Sequence, residues 1–195
     1  MPNNAQQVPT NTTPNSRATV HLKKVSFAEL WDAYPGGIPY IDPKTGEAPP
    51  GFENQCAIRL SVTLHKIGIE MQSFRGTGQI RLGSRRTAVL ASEMADWLRL
   101  KPMAGIGTPE NITGKNWQEK IKGRTGIVAF KNYWIRDGHS AASGGHIDLW
   151  NGSRMTSLNI RGAVTNFLRF NVGLESGPGY SDLGKATEIL FWEVR

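Results

Sequence analysis

The chain has 195 residues, 38% of them hydrophobic and 20% charged, which suggests one domain with enough apolar material for a core. A single cysteine excludes an internal disulfide, and the lack of an apolar run of about 18 residues argues against a transmembrane helix. The net charge of +7 indicates attraction to polyanions such as nucleic acid, an anionic envelope polymer or an acidic protein.

Residues 1–20 are rich in Asn, Thr, Pro and Gln and carry almost no charge. They lack the basic start and apolar stretch of a Sec-type signal peptide, so export would need another machine. Such a composition buries too little apolar area to offset its ordering entropy. We therefore expect a disordered tail over residues 1–20 and a single domain over residues 21–195.

The first predicted helix covers residues 26–34, where Ser26 and Glu29 have the spacing of a capping box. The Pro- and Gly-rich stretch that follows, residues 35–52, is a long loop of the kind that often has a function. Apolar residues then keep helical spacing from Asn54, the expected N-cap, to Gly68.

A third helix is predicted over residues 87–100. Two glycine-rich stretches, residues 74–83 and 103–114, are expected to be loops, because neither follows a clear strand or ends like a phosphate-binding loop. Strands are predicted over residues 125–134 and 186–195, with two more over residues 144–160 around an Asn-Gly turn. Helices followed by antiparallel strands indicate an α+β fold.

Cys56 falls in the first turn of the second predicted helix. Only the thiolate of cysteine is nucleophilic, and a helix N-terminus lowers the thiol pKa from about 8.5 through its unpaired N–H groups and dipole. The same N–H groups could hold the oxyanion of a tetrahedral intermediate. The alternative is that Cys56 is a small buried core residue, as free cysteines commonly are.

A histidine and a carboxylate share a face of one predicted strand. Side chains alternate along a strand, so Ile147 and Leu149 would face the core, while His146, Asp148 and Trp150 take the other face. A thiol nucleophile needs an imidazole base that is held by a third polar group. The alternative is an ordinary solvated strand face.

Two other functions fit some of the same residues. His139, His146 and Asp148 could bind zinc in a metal-dependent wall peptidase, although no HExxH motif is present. A basic nucleic-acid or polyanion binder could use Arg75, Arg81, Arg85, Arg86, Lys115, Lys120, Lys122 and Arg124. That hypothesis predicts that Cys56 and His146 are dispensable, and no nucleic-acid motif supports it.

The segments "NQCAIRLS", "GHIDLWNGS" and "EILFWEV" together resemble the fourth amidase-effector family of type VI secretion, from about Ser26 to the C-terminus. The resemblance implies a papain-like cell-wall peptidase fold, in which helices with the cysteine at a helix start pack on an antiparallel sheet. It implies a cysteine amidase that cuts the peptidoglycan stem between D-glutamate and diaminopimelate. Cys56 would be the nucleophile and His146 the base, with no metal and no cofactor.

The third catalytic residue is open at this stage. The family has an aspartate on the strand after the histidine, and this sequence does not match it there. Ser157 and Asn159 fall near that place, whereas Asp148 is the nearest carboxylate in sequence. We predict Asp148.

The resemblance also implies partners and a compartment. These proteins are antibacterial toxins, so we expect peptidoglycan as substrate, a cognate immunity protein and the secretion apparatus as partners, with no nucleic acid and no membrane span. The protein would be made in the cytoplasm, exported without a signal peptide and active in the periplasm of target cells.

Overall fold

The computed structural model describes residues 4–9, 14–15, 17–135, 142–156 and 183–195. Its elements follow in the order β1 Asn4–Pro9, β2 Arg17–Leu22, α1 Phe27–Ala33, α2 Cys56–Lys66, β3 Gln79–Leu82, β4 Arg85–Ala88, α3 Ala91–Arg99, β5 Glu110–Asn111, α4 Trp117–Ile121, β6 Gly126–Ile135, β7 Ala142–Trp150 and β8 Glu188–Glu193. A 3-10 turn at Leu183–Lys185 precedes β8. The α+β fold class is confirmed.

The main sheet is antiparallel, with the strand order β5-β8-β6-β7. In its register Ile147 of β7 lies opposite Ala129 of β6, and His146 lies opposite Phe130. Among the described strands β7 is therefore at the edge of the sheet, where half of its backbone N–H groups point away from β6. This edge is where the functional site is built.

Each face of the sheet packs on its own apolar cluster. One face contributes Ile127, Ala129, Ile147, Leu149, Leu190 and Trp192 to the larger core, which also holds the buried faces of α2 and α3. The opposite face packs Val128, Phe130, Trp150, Ile189 and Phe191 against Trp117 and Ile121 of α4. The sequence correctly predicts which residues of β7 face the larger core.

The second face of β7 is not solvated, because the short helix α4 covers part of it. Trp150 is 2% exposed and donates its indole N–H to the backbone oxygen of Ile121 at 3.0 Å. Asp148 is also 2% exposed. A solvated strand face is thus the wrong interpretation of this stretch.

Helix α2 is buried along most of its length, with Ala57, Ile58, Leu60 and Leu64 fully inaccessible. Its polar residues bond inside the core. The Ser61 hydroxyl donates to the backbone oxygen of Ala57 at 2.8 Å and accepts the N–H of Ala88 at 3.1 Å. This second bond joins α2 to the strand β4 of the hairpin.

The predicted helix boundaries are close, with two corrections. The residue that caps α2 is Gln55 rather than Asn54, and the helix begins at Cys56. Helix α3 begins at Ala91 rather than near residue 87, because Arg85–Ala88 pairs with Gln79–Leu82 in a hairpin. The expected loop over residues 74–83 therefore contains a strand. The capping box of α1 is present as predicted.

The expected tail over residues 1–20 contains paired backbone in its described part. Asn4–Pro9 runs antiparallel to Arg17–Leu22, from Asn4 opposite Leu22 to Pro9 opposite Arg17. Backbone hydrogen bonds of this kind do not depend on apolar side chains, which is why composition gives no sign of them. The division into a tail and a domain over residues 21–195 stays a prediction.

Helices of the described residues are too short or too polar to cross a bilayer. The longest, α2, has 11 residues, well under the roughly 20 that a spanning helix needs.

Candidate active site

Cys56 is the first residue of α2, and it is 9% exposed. The residue before it, Gln55, is 4% exposed and forms two hydrogen bonds with the backbone of Tyr40 in the preceding loop. Its Nε2 donates to the Tyr40 oxygen at 2.6 Å, and its Oε1 accepts the Tyr40 N–H at 3.0 Å. Gln55 therefore makes no side-chain bond to the first turn of α2, whose N–H groups are left without a side-chain cap.

The structure brings His146 to this helix start. The Cys56 thiol is hydrogen-bonded to the His146 ring and also accepts the backbone N–H of Ile147, at the outer edge of β7. Burial raises the pKa of the thiol, but these two bonds and the imidazole charge outweigh it. The pKa of Cys56 is consequently lower than that of an ordinary cysteine.

His146 shows the opposite shift. Burial lowers its pKa, whereas hydrogen bonds and charge from Asp148 and Cys56 raise it, to about 10 in balance. A lowered thiol pKa and a raised imidazole pKa favour the thiolate–imidazolium pair over the neutral pair.

Asp148 fixes the orientation of the ring. Its Oδ2 lies 3.4 Å from Nε2 of His146, which leaves Nδ1 for Cys56. Its Oδ1 accepts the backbone N–H of Leu149 at 2.8 Å and the hydroxyl of Thr156. Three donors thus hold a carboxylate that is nearly inaccessible to water, and it stays an acceptor for the imidazole.

Tyr34, just after α1, lies on the same side of the site. Burial raises its pKa well above the ordinary value of 10.0, and the charge of Asp148 adds to this, while the nearby Thr156 hydroxyl opposes it. The phenol is therefore neutral at neutral pH. Tyr34 and Thr156 are thus both close to the buried carboxylate of Asp148.

Arg59 lies one turn after Cys56 and is 8% exposed. Its Nε has no hydrogen-bond partner among the described residues, and its charge is close enough to the Tyr34 phenol to stabilise the ionised form. A buried guanidinium near the Tyr34 phenol makes the local electrostatic field more favourable to negative charge.

The predicted residues Cys56, His146 and Asp148 are thus in one place. Ser157 and Asn159, the alternatives for the third position, lie outside the described residues, as does His139. No cluster of metal-binding side chains occurs in the described part of the chain. The zinc hypothesis used His146 and Asp148, and here these two side chains bond to each other.

Sequence reasoning missed Gln55, Thr156 and Tyr34. The position of Gln55 next to the cysteine was visible, but its bond to Tyr40 depends on how the loop folds back. Thr156 follows the Asn151–Gly152 turn, and the chain reverses there so that Met155 bridges Trp150. That reversal was predicted, and it could have suggested a residue opposite Asp148.

A helix that begins at a cysteine and packs on an antiparallel sheet bearing a histidine is the arrangement of the papain-like class of folds. Residues 52–192 match the family described as type VI secretion system (T6SS), amidase effector protein 4, or Tae4. The chain therefore belongs to the Tae4 family, as its motifs indicated.

Solved structures of Tae4 proteins have the same fold. Tae4 from Enterobacter cloacae is 17% identical, with a TM-score of 0.54 over 90% of this chain and 100% of that one. The Salmonella typhimurium effector, solved with its immunity protein Tai4, is 20% identical, with a TM-score of 0.56 over 89% and 100%. A third structure pairs the Salmonella effector with Enterobacter Tai4, at 21% identity and a TM-score of 0.52 over 87% and 98%. No curated protein matches the sequence.

Proposed function

We propose that this chain is an antibacterial amidase that hydrolyses the peptide stem of peptidoglycan between D-glutamate and diaminopimelate, with Cys56 as nucleophile. The observation that carries the proposal is the contact of Cys56 with His146 at a helix start, with the two pKa values shifted in opposite directions. Membership in an amidase-effector family gives the reaction class. The bond and the cysteine mechanism follow from the resemblance and from this contact.

In the first step the Cys56 thiolate attacks the carbonyl carbon of the scissile amide, and the carbonyl oxygen becomes an oxyanion. We assign the stabilisation of this oxyanion to backbone N–H groups of the first turn of α2, which has no side-chain cap. His146 then gives its proton to the nitrogen of the leaving amine, and the C–N bond breaks. The products of this step are a thioester on Cys56 and a free amino group on the diaminopimelate fragment.

In the second step water hydrolyses the thioester. His146, now neutral, takes a proton from water as the hydroxyl attacks, and the sulfur leaves as thiolate. The D-glutamyl product departs with a new carboxylate. Asp148 stabilises the imidazolium in the resting site and after hydrolysis, and it keeps Nε2 from competing for the thiol.

The partner of such a toxin is an immunity protein. Both Salmonella and Enterobacter effectors of this fold have been solved with Tai4. A producing cell needs an inhibitor that occupies the cleft before export, so we include an immunity protein of that kind as a partner of this chain. Action would take place in the periplasm, where peptidoglycan is accessible.

A peptidoglycan digest tests the proposal. Purified sacculi are incubated with the wild type or with Cys56→Ala, and the soluble fragments are identified by mass spectrometry. The wild type should release fragments that end at D-glutamate, with the diaminopimelate amine free, and the variant should release none.

Two reagents separate this mechanism from the zinc alternative. A thiol alkylator should stop hydrolysis, and a metal chelator should leave it unchanged. Full activity of Cys56→Ala, or inhibition by the chelator alone, would contradict the proposal. Cleavage at another stem bond would preserve the mechanism and overturn the assigned bond.

A further inference from the structure

The hairpin β3–β4 and the turn before it carry four arginines that are exposed or half-exposed: Arg75, Arg81, Arg85 and Arg86. Three of them line an open depression of about 360 Å³, together with Glu70, Gln72 and Ser84. The depression lies at the C-terminal end of α2, where Arg85 donates to the backbone oxygen of His65 at 3.2 Å. The helix of 11 residues puts it about 15 Å along the axis from Cys56.

Two of these guanidinium groups are held side by side. Arg86 donates to the backbone oxygens of Gln72 and Phe74, at 3.1 and 2.8 Å. Arg75 donates to the same two oxygens. Carbonyl oxygens fix the position of a guanidinium but do not cancel its charge, so two positive groups face each other across shared acceptors.

The hairpin register adds a second conflict of like charges. Arg81 and Arg86 are directly opposite in the β3–β4 pairing. Like charges directly opposite each other destabilise an antiparallel pair. Among the described residues, Arg81 bonds only to the backbone oxygen of Ser84, at 2.8 Å, inside the hairpin turn. The stability of the hairpin therefore does not explain why position 81 is an arginine.

Two other arginines, by contrast, are paired with carboxylates. Arg124 bonds to Glu110 and Glu193, and Arg99 bonds to Glu188 at 2.9 Å. No ion pair among the described residues includes any of the four hairpin arginines. Glu70 is the single carboxylate lining the depression, and it accepts a hydrogen bond from Gln72 at 2.7 Å.

We propose that this hairpin surface, made of Arg75, Arg81, Arg85 and Arg86, binds carboxylates of the peptidoglycan polymer outside the cleaved stem. The inference rests on the proposed function for its ligand and on charge complementarity for its chemistry. Neighbouring stems of one polymer carry free carboxylates, and a guanidinium pairs with a carboxylate through two parallel N–H bonds. Because the surface is at the opposite end of α2 from the thiol, it can hold the polymer while one stem occupies the cleft.

Binding and hydrolysis are measured separately for the pair Arg81→Gln/Arg85→Gln. The matched control, Lys115→Gln/Lys122→Gln, removes the same charge from exposed positions around α4. In the inactive Cys56→Ala background, each protein is pelleted with intact sacculi at low and high salt. In the active background, kcat/KM is compared on sacculi and on a soluble disaccharide-peptide.

The hairpin pair should lower sacculus binding and kcat/KM on sacculi by about tenfold at low salt, with a weaker salt dependence. Its activity on the soluble fragment should equal that of the wild type, and the control pair should match the wild type throughout. Unchanged sacculus binding by the hairpin pair overturns the inference. If the same variant also loses retention on duplex DNA, the hairpin is a nucleic-acid surface instead. Equal loss on both substrates also overturns it.

The binding arm uses no catalysis, so it separates the two proposals. If the wild type hydrolyses neither substrate, the proposed function fails, while the pelleting result still decides whether the hairpin binds the polymer.

Discussion

The two ends of helix α2 treat charge in opposite ways. At the N-terminal end the Cys56 thiolate, the His146 imidazolium and the Asp148 carboxylate lie in one contact chain, and each charge has an opposite neighbour. At the C-terminal end Arg85 and Arg86 lie among like charges, held by backbone oxygens. The charges of the first arrangement balance one another, whereas in the second three arginines share a single carboxylate, Glu70.

This difference separates a site that reacts from a surface that binds. A buried, internally balanced ion pair can hold a reactive protonation state without any ligand. An exposed cluster of like charge raises the free energy of the isolated protein until an anion arrives. Substitutions at the N-terminal end should therefore change turnover and pKa values, whereas those at the hairpin should change salt dependence and polymer binding.

The largest effect is expected from His146→Ala. The buried Cys56 thiol loses the bond and charge that offset desolvation, so its pKa should rise above the ordinary value. We expect kcat to fall by about 10⁴-fold or more, in line with the loss of a base in other triads. The midpoint of a pH titration of thiolate absorbance should move to higher pH in this variant and stay unchanged in Arg81→Gln. A variant that folds and keeps the low thiol pKa would break the comparison.

Asp148→Asn should have the next largest effect, a loss of about 10²- to 10⁴-fold in kcat. The amide can no longer favour the imidazolium by charge, so the pKa of His146 should fall from about 10. Asp96→Asn is the matched control, because Asp96 is an exposed carboxylate that pairs with Lys131 at 3.3 Å. Near-normal turnover in Asp148→Asn would move the orienting role to another residue, such as Asn159.

The pH profile of kcat/KM also distinguishes the two ends of α2. The reactive pair needs an ionised Cys56 and a protonated His146. Activity should rise as pH passes the lowered pKa of the thiol and fall as pH passes about 10. In Asp148→Asn the upper limb should shift to lower pH, while the hairpin pair keeps the profile. A coincident upper limb in the wild type and Asp148→Asn would show that Asp148 does not set the pKa of His146.

A smaller effect is expected from Thr156→Val, which removes one of the three donors to Asp148 at similar side-chain volume. A buried carboxylate with one donor fewer is less stable as an anion, so its support of His146 weakens. We expect a fall of about tenfold in kcat and a modest lowering of the upper pH limb. Thr156→Ser, which retains the hydroxyl, should restore most of the loss. Equal activity of the Val and Ser variants would exclude the hydroxyl from the mechanism.

The smallest effect is expected from deletion of residues 1–20. Tail residues make none of the hydrogen bonds that we describe at Cys56, His146 or Asp148, so the truncated protein should keep the wild-type kcat/KM on soluble substrate. Circular dichroism would verify its fold. A folded but inactive truncation would show that this segment contributes to the site.

Much of the site follows from local pattern. A cysteine after an amide pair and before an apolar run predicts a thiol at a helix start, and strand alternation predicts that His146 and Asp148 share a face. The hairpin was missed because strands of four residues with three arginines lack apolar alternation. His65 of α2 is a polar residue, yet it is buried and bonds to the Arg86 backbone oxygen at 2.9 Å. The burial of His65 results from packing of the hairpin on α2, which the local sequence does not indicate.

The two bonds from Gln55 to Tyr40 make the loop before α2 part of the scaffold of the nucleophile. Ile38 and Ile41, on either side of Tyr40, are 44% and 45% exposed, so a bound molecule can contact the loop there. These residues are connected to the start of α2 through the Tyr40 backbone and the Gln55 side chain. The two hydrogen bonds therefore couple the position of this loop to that of the residue before the nucleophile.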